Sequence, residues 1–318
     1  MSVSNFRMTK QTMTTDKTIQ IVMRAKQTTK RVIITLSIFT VCIVLSYLTL
    51  LHYVDTQLDA KTHFPSTTPC LKVWSTRGLV TEPANRLNDA NSIQSITRAL
   101  ISGAQGVEID VFFDVELDRF IVSHDRPYNL KDGQLLTLAE VFSTIDIPAY
   151  YWLDFKKLTR LDENQVNQAV ARLSLIVPND SLRARIYIES EHPLKLPPFQ
   201  NEGFHTILDT QPLPVSFAGT RLVHNLYKLV FYFGDFSVMG LGYGDVDDPV
   251  YNHISETVLK SVPLFIYHVP NERELLQRLS DQDNVKVLLN SDESVNLFDI
   301  SARECDAKQA LPQTEIGI

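Results

Sequence analysis

Two acidic segments have the residue types and spacing for metal chemistry. Glu108 and Asp110 lie two positions apart in GVEIDVFF (106–113), so both carboxylates point to one side of a strand. The segment is otherwise apolar and predicted to be buried, where an acid needs a partner. Asp154 and Lys156 have the same spacing at the end of YYWLDFK (150–156). Three converging carboxylates repel one another unless a cation lies between them, and oxygen-only ligands suit Mg²⁺ or Ca²⁺.

Other polar residues end neighbouring strand-like segments. Arg77 follows LKVWS (71–75), and His124 with Asp125 ends RFIVSHD (119–125). Most histidines are structural, but His124 ends a strand beside a carboxylate, and imidazole can transfer protons near neutral pH. An alternative use of Lys156, as the Schiff-base lysine of an aldolase-like enzyme, requires an unpaired and desolvated amine. The nearby Asp154 makes that role unfavourable.

These residues need a scaffold that brings strand ends together. From residue 70 to residue 305, short β-branched segments alternate with amphipathic helical stretches. The predicted strands are 71–75, 106–113, 119–125, 150–156, 185–190, 205–210, 236–244, 263–269 and 285–290; the clearest helices are 92–102, 162–176 and 271–279. Such alternation predicts a parallel sheet covered by helices, either an open doubly wound sheet or a barrel. The strand number and the lack of a glycine-rich loop after the first strand favour an α/β (β/α)₈ TIM barrel, whose active sites lie at the carboxyl ends of the strands.

An uncharged segment precedes the barrel. The twenty residues from Val32 to Leu51, in a helix, span the roughly 30 Å of a bilayer core. Tyr47, His52 and Tyr53 are typical interfacial anchors. A cleaved signal peptide is the alternative, although its apolar region is usually only about 7–15 residues long. We therefore predict a single transmembrane helix over residues 32–54.

Charge around this helix predicts its orientation. Residues 1–31 contain seven basic residues and one acid, whereas the whole chain has a net charge of −7. By the positive-inside bias, residues 1–31 form a basic cytoplasmic tail, and everything after residue 54 lies outside the cytosol, on the periplasmic side of the inner membrane if the source is bacterial. The expected order is a stalk over 55–69, the barrel over 70–305 and a C-terminal tail over 306–318. An acidic body argues against nucleic acid as a partner.

Three cysteines are consistent with this topology. Cys42 lies in the apolar segment, and Cys70 and Cys305 lie near the two ends of the exported part. In an oxidising compartment Cys70 and Cys305 could pair and tie those ends together. Two unpaired thiols are the alternative, and the sequence leaves both open.

The segment from Ser75 to Thr137 resembles the start of the glycerophosphodiester phosphodiesterase family, within the phosphatidylinositol-phospholipase-C-like barrel superfamily. That family typically reads HRG, ENT, GA-x-x-x-E-x-D and HD, followed by a threonine-leucine helix start. In the same order this sequence reads Thr76-Arg77-Gly78, Ala90-Asn91-Ser92, Gly103-Ala104 with Glu108 and Asp110, His124-Asp125, and Thr137-Leu138. Asp154-Phe155-Lys156 is similar to the Asp-Leu-Lys of the related sphingomyelinase D group.

The resemblance implies a role for each candidate residue. A divalent cation, Mg²⁺ or Ca²⁺, would be held by three carboxylates, those of Glu108, Asp110 and Asp154. Arg77 would bind a phosphate oxygen, Lys156 would support the metal site or the developing charge, and His124 would act as general acid or base. The implied substrate is a glycerophosphodiester or another phospholipid-derived diester, and the membrane is the expected partner of the apolar helix.

Two positions depart from the family pattern. Thr76 stands where the family has a first histidine, and Ala90 stands where it has a glutamate. Threonine cannot shuttle protons near neutral pH, and losing one general acid or base typically costs about 10²–10⁴ in rate. The sequence therefore supports two hypotheses, a membrane-anchored phosphodiesterase and a catalytically impaired barrel that binds a phosphorylated ligand or a protein. An intact cation site with His124 facing it would favour the enzyme, and a mouth plugged by the inserted residues 80–89 would favour the binding module.

Overall fold

A parallel barrel and an N-terminal helix make up the residues that the computed structural model describes, which are 4–60, 71–81, 86–131, 133–211, 213, 218–244 and 249–301. The chain divides into two compact units, Met1–Gln57 and Leu58–Ile318. The stalk from residue 61, Cys70, Cys305 and the tail over 306–318 lie outside the described residues. The predicted pairing of the two cysteines is therefore still a prediction.

The first helix, α1, runs over Ser4–Ala60. Its part from Lys26 to Ala60 is long and apolar enough to cross a membrane. The hydroxyls of Thr40 and Thr49 donate to the carbonyls of Leu36 and Leu45, four residues earlier, so these polar groups are satisfied within the helix. A membrane anchor and a signal sequence both have these features.

Eight parallel strands close into the barrel. They are β1 (Val73–Thr76), β2 (Gly106–Asp114), β4 (Tyr150–Phe155), β5 (Ile186–Ser190), β6 (His205–Thr210), β7 (Val238–Gly242), β8 (Leu264–Val269) and β9 (Val285–Asn290). Each pairs with the next around the ring, and β1 closes it by pairing with both β2 and β9. The one remaining predicted strand, 119–125, forms β3 (Arg119–Val122). It pairs antiparallel with β2 and lies outside the ring. The predicted fold class, a (β/α)₈ TIM barrel that follows a long apolar helix in the sequence, is confirmed.

Helices and short helical turns connect the strands. They are α2 (Arg86–Asp89), α3 (Ile93–Ile101), α4 (Leu138–Thr144), α5 (Glu163–Ile176), α6 (Asp180–Arg183), α7 (Pro197–Asn201), α8 (Thr220–Phe233), α9 (His253–Val258) and α10 (Arg273–Ser280). Ser92, Thr137 and Asp162 cap α3, α4 and α5 through reciprocal capping boxes, so the first and third of these helices begin one residue later than predicted. The third predicted helix, 271–279, begins later than expected, because Glu272 occupies its N-cap position.

Aromatic side chains fill the inside of the barrel. Trp74, Trp152 and Phe265 belong to one buried cluster, and the Phe265 ring centroid lies 5.4 Å from that of Trp74 and 5.2 Å from that of Trp152. A Cβ at Gly106 would lie 2.3 Å from the Trp74 ring, so glycine is required where that ring crosses β2. The apolar filling leaves the polar residues for the mouth, the end at which the carboxyl ends of the strands meet.

Candidate active site at the barrel mouth

Three carboxylates converge at the mouth. Glu108 and Asp110 lie on β2, and Asp154 lies directly opposite Asp110 on the neighbouring strand β4. Glu108 and Asp110 are buried, and Asp154 is partly exposed. One oxygen from each carboxylate lies within 4.8 Å of the other two. Oxygens that share one Mg²⁺ or Ca²⁺ are at most roughly 4–5 Å apart, given ligand distances of about 2.0–2.6 Å. The donor set and its spacing therefore fit a hard divalent cation.

Two cationic side chains bind the same carboxylate. Arg77 Nε lies 2.7 Å from Asp110 Oδ2, and Lys156 Nζ lies 2.8 Å from Asp110 Oδ1. Lys156 also donates to Asp154. Burial alone would lower the pKa of Lys156, but the charges of Asp154 and Asp110 raise it. The lysine is therefore protonated and paired, which excludes the Schiff-base alternative for this amine.

Electrostatics in the cluster favour a further positive charge. Burial raises the pKa of Glu108 well above its usual range, and the charge of Asp110 adds to that effect. Burial also raises the pKa of Asp154, against the opposing effect of Lys156. A buried carboxylate with a raised pKa is stabilised by binding either a proton or a metal ion. The proton and the metal ion compete for the same oxygens. The carboxylates can therefore bind a cation without leaving buried charge uncompensated.

Asn91 orients Asp110, a role that the sequence reasoning did not assign. Asn91 Nδ2 donates to Asp110 Oδ2 at 2.7 Å, and the Asp110 backbone N–H donates to Asn91 Oδ1 at 3.1 Å. Asn91 is buried and has a φ of +55°, a left-handed conformation that asparagine tolerates better than most residues. Its signal in the sequence is the motif Ala90-Asn91-Ser92, where the resemblance holds at the asparagine but not at the residue before it.

A tight turn after β1 holds Arg77 in place. Arg77 has a φ of +55° and Gly78 a φ of +86°, and a Cβ at Gly78 would lie 2.4 Å from Ser95 Oγ at the start of α3. The Arg77 N–H donates to the Glu108 carbonyl at 3.0 Å, and Arg77 Nη1 lies 3.2 Å from Glu293 Oε1. Glu293 is buried and follows β9, and no sequence pattern singled it out. The guanidinium is thus fixed between two acids at the edge of the carboxylate cluster.

Thr76, which stands where the resembled family has its first histidine, is directed toward the barrel wall. Its hydroxyl donates to the backbone carbonyl of Asn290 on β9 at 2.9 Å. The side chain therefore closes the β1–β9 seam. A proton-transfer group at the mouth has to come from another position.

His124 lies at the rim of the mouth. Its Nδ1 is 2.9 Å from Asp125 Oδ2, and 42% of its side chain is exposed. It lines a small cleft together with Arg77 and Asn91, and a cavity of about 520 Å³ together with Phe155 and Lys156. The structure thus brings five of the six predicted residues into direct contact or within 4.8 Å of one another. His124 shares one cavity with Arg77 and another with Lys156.

A second acidic wall lies on the next two strands, which the sequence reasoning missed. Glu189 on β5 is opposite Asp154, and Asp209 on β6 lines a cavity of about 390 Å³ with Glu189, Asp154 and Lys156. Burial raises the pKa of Asp209 to about 7, and the charge of Asp154 contributes. The sequence signal for this wall was an acidic residue near the end of each of the predicted strands 185–190 and 205–210.

The described residues of the inserted segment 80–89 are held beside the mouth by a hydrogen bond and an ion pair. The Val80 N–H donates to the Glu293 carbonyl at 2.9 Å, and Asp89 forms an ion pair with Arg98 of α3. Cavities of about 390 and 520 Å³ reach Lys156. The described part of the insertion therefore leaves the region around Lys156 accessible.

The sequence matches no family model and no curated protein. A solved glycerophosphodiester phosphodiesterase from Parabacteroides distasonis aligns with a TM-score of 0.50 at 16% identity, over 69% of this chain and 92% of that chain. A structure from Galdieria sulphuraria, described as the same type of enzyme, aligns with a TM-score of 0.50 at 13% identity, over 74% and 96%. The fold is that of the glycerophosphodiester phosphodiesterases. At these identities the similarity establishes the fold of the barrel, and the chemistry has to be argued from this chain's own residues.

Proposed function

We propose that this chain is a phosphodiesterase that hydrolyses a glycerophosphodiester, or another diester derived from phospholipids, with the help of a divalent cation. The observation that carries the proposal is the cluster of Glu108, Asp110 and Asp154, with mutual oxygen distances within 4.8 Å, at the mouth of a barrel with the glycerophosphodiester phosphodiesterase fold. Arg77 and Lys156 bind the same cluster. An acidic site that also presents fixed cations suits a phosphate group bound through a metal.

Each residue has a defined task in this reaction. A bound Mg²⁺ or Ca²⁺ supplies charge stabilisation at a non-bridging phosphate oxygen. Arg77, fixed by Asp110 and Glu293, presents positive charge to the diester. Lys156 holds Asp110 and Asp154 together and offsets part of their charge. His124, exposed at the rim, transfers a proton at an ester oxygen.

A non-catalytic barrel is the second candidate, and a specific observation favours it. The Thr76 hydroxyl is bound to the Asn290 carbonyl, so β1 provides no proton-transfer group. Such a protein would bind glycerol 3-phosphate or glycerophosphocholine without converting the diester.

The deciding experiment measures choline release from glycerophosphocholine by the full-length protein in detergent, with Mg²⁺, with Ca²⁺ and with a chelator. We expect metal-dependent release that is lost in Asp110→Asn, which removes a charge and keeps the shape. Asp146→Asn, at an exposed aspartate in the loop before β4, is the matched control and should retain activity. Release that survives both the chelator and Asp110→Asn refutes the metal-assisted reaction. Ligand binding without release in any variant supports the binding module.

We also propose that α1 is an uncleaved anchor. The basic residues of 1–31 would stay in the cytoplasm, residues 32–54 would cross the membrane, and the stalk and barrel would lie outside the cytosol. A reporter that is active only outside the cytosol, fused after residue 318, should be active. Activity of a cytosol-only reporter at the same point would reverse the topology, and loss of the first residues from the mature protein would indicate a signal peptide.

A further inference from the structure

His268 lies at the mouth, on the same side of the ring as the position that Thr76 leaves without a histidine. It is near the carboxyl end of β8, which neighbours β9, and β9 in turn neighbours β1. The Thr76 hydroxyl binds the carbonyl of Asn290, and Asn290 is paired with Val269, the residue after His268. The imidazole of His268 therefore lies two strands away from Thr76 around the ring.

The backbone of β8 is irregular at this residue. His268 has a φ of +54°, and the register between β8 and β9 shifts between Ile266 and Val269. In a regular strand His268 would point away from the side on which Tyr267 lies. A left-handed residue interrupts that alternation, and non-glycine residues in this conformation are concentrated at functional sites.

The ring of His268 lies against a residue of the mouth. Its centroid is 5.1 Å from that of Tyr267, in an edge-to-face arrangement. Tyr267 packs against the barrel's aromatic cluster, with its ring 6.4 Å from that of Trp152, and its hydroxyl bonds to Asp209. His268 itself is partly covered by its neighbours but keeps solvent-accessible surface. The imidazole thus packs against Tyr267 and is accessible to a ligand.

We propose that His268 is the second acid–base group of the diesterase, supplying from β8 the proton transfer that Thr76 cannot supply from β1. This inference rests on the proposed function. The binding module is favoured because Thr76 provides no proton-transfer group. If His268 replaces the missing histidine, that reason to expect an inactive barrel is removed.

The positions of the two histidines suit a displacement at phosphorus. His124 follows β3, which pairs with β2, and His268 lies on β8, so the two stand on opposite sides of β1 and of Arg77 in the ring. Hydrolysis forms a bond from the water oxygen to phosphorus and breaks the bond from phosphorus to the alcohol oxygen. The attacking and leaving oxygens lie roughly in line on opposite sides. One histidine takes the proton from water and the other gives a proton to the leaving alcohol, which balances the reaction.

Charge assigns the two roles. Partial burial lowers the pKa of His268, and the positive charges of Arg77 and Lys156 lower it further. A neutral imidazole accepts a proton, so His268 is the base that activates water. His124 beside Asp125 is then the acid that protonates the alcohol.

The test compares His268→Gln with wild type in the full-length protein, using glycerophosphocholine and the metal that supports turnover. We expect kcat to fall by about 10²–10⁴-fold, with KM little changed and the limb of the pH–rate profile that belongs to the base removed. His205→Gln is the matched control. The pKa of His205 is also lowered by burial, but this residue begins β6 at the opposite end of the barrel, so its variant should keep the wild-type profile.

A second measurement does not depend on turnover. The ring ¹⁵N resonances of His268, assigned by their absence in His268→Gln, should shift when glycerol 3-phosphate is added. An active wild type whose rate and profile are unchanged in His268→Gln, or ring resonances that ignore the ligand, would overturn the role of His268 and leave the proposed function intact. No turnover by the wild type with any divalent metal would overturn both.

Discussion

Asp110 forms an ion pair or a hydrogen bond with side chains that come from three separate parts of the chain. Arg77 arrives from the turn after β1, Asn91 from the residues before α3, and Lys156 from the end of β4. The sequence predicted the two cations because each lies at the end of a predicted strand, Arg77 after 71–75 and Lys156 in 150–156. It did not predict the task of Asn91, since an amide before a helix is most often only a cap. Its position depends on the left-handed turn that brings it to β2.

Replacing Asn91 should therefore weaken metal binding without touching a metal ligand. Asn91→Ala removes both hydrogen bonds to Asp110, and loss of such a supporting partner typically costs about 10–100-fold in metal affinity. Titration calorimetry with Mg²⁺ or Ca²⁺ measures the change. Asn284→Ala is the control, because that amide donates to the Leu259 and Val262 carbonyls before β8. Equal affinities in Asn91→Ala and wild type would mean that Asp110 needs no support.

Asp209 gives a pH-dependent prediction. Its pKa is raised to about 7 in the folded protein, against about 3.9 in an unfolded chain. The folded state therefore binds this proton more tightly, so the contribution of Asp209 to the free energy of unfolding falls as pH rises from about 4 to about 7. Asp209→Asn should remove this fall, making the variant more stable than wild type at pH 7 and not at pH 4. Denaturant unfolding at several pH values tests this, and a constant difference between the two proteins would contradict it.

At the scale of elements, the sequence predicts whatever depends on local periodicity. All nine strands and the helices α3 and α5 lie where β-branched segments and amphipathic stretches predict them. The exclusion of β3 from the ring and the register shift in β8 were not predictable. Both depend on which strands become neighbours when the barrel closes, and no local pattern contains that information.

The close approach of β1 and β2 yields an element-scale prediction. Gly106 lets the Trp74 ring cross β2, and a Cβ there would lie 2.3 Å from that ring. Gly106→Ala should destabilise the barrel by about 1–3 kcal/mol through overpacking, measured as the change in the free energy of unfolding. Gly133→Ala has open space around its Cβ but a φ of +77°, so it reports backbone strain alone. A Gly106→Ala protein as stable as wild type would show that the ring moves freely.

At the scale of the whole molecule, the N-terminal helix and the barrel were both predictable because each has a strong compositional signature. A long uncharged apolar segment indicates a membrane helix or a signal sequence, and alternating strands and helices indicate a parallel barrel. The sequence showed that Thr76 stands where the resembled family has a histidine, but it did not show which residue could take over the proton transfer. The residue that we propose for this role, His268, lies far away in the sequence and reaches the same end of the barrel only because the sheet closes.

Cation binding should therefore be visible in the stability of the folded protein, whether or not it turns over substrate. An ion that binds only the folded state at a concentration 100 times its Kd stabilises it by about 2.7 kcal/mol. For a barrel of this size, each kcal/mol raises Tm by about 2–4 °C, so saturating Mg²⁺ or Ca²⁺ should raise the Tm of the full-length protein by about 5–10 °C. Asp110→Asn should abolish the rise, because Arg77 and Lys156 would then face a site with one carboxylate fewer, and Asp146→Asn should preserve it. A rise of equal size in Asp110→Asn would place the bound cation outside the mouth.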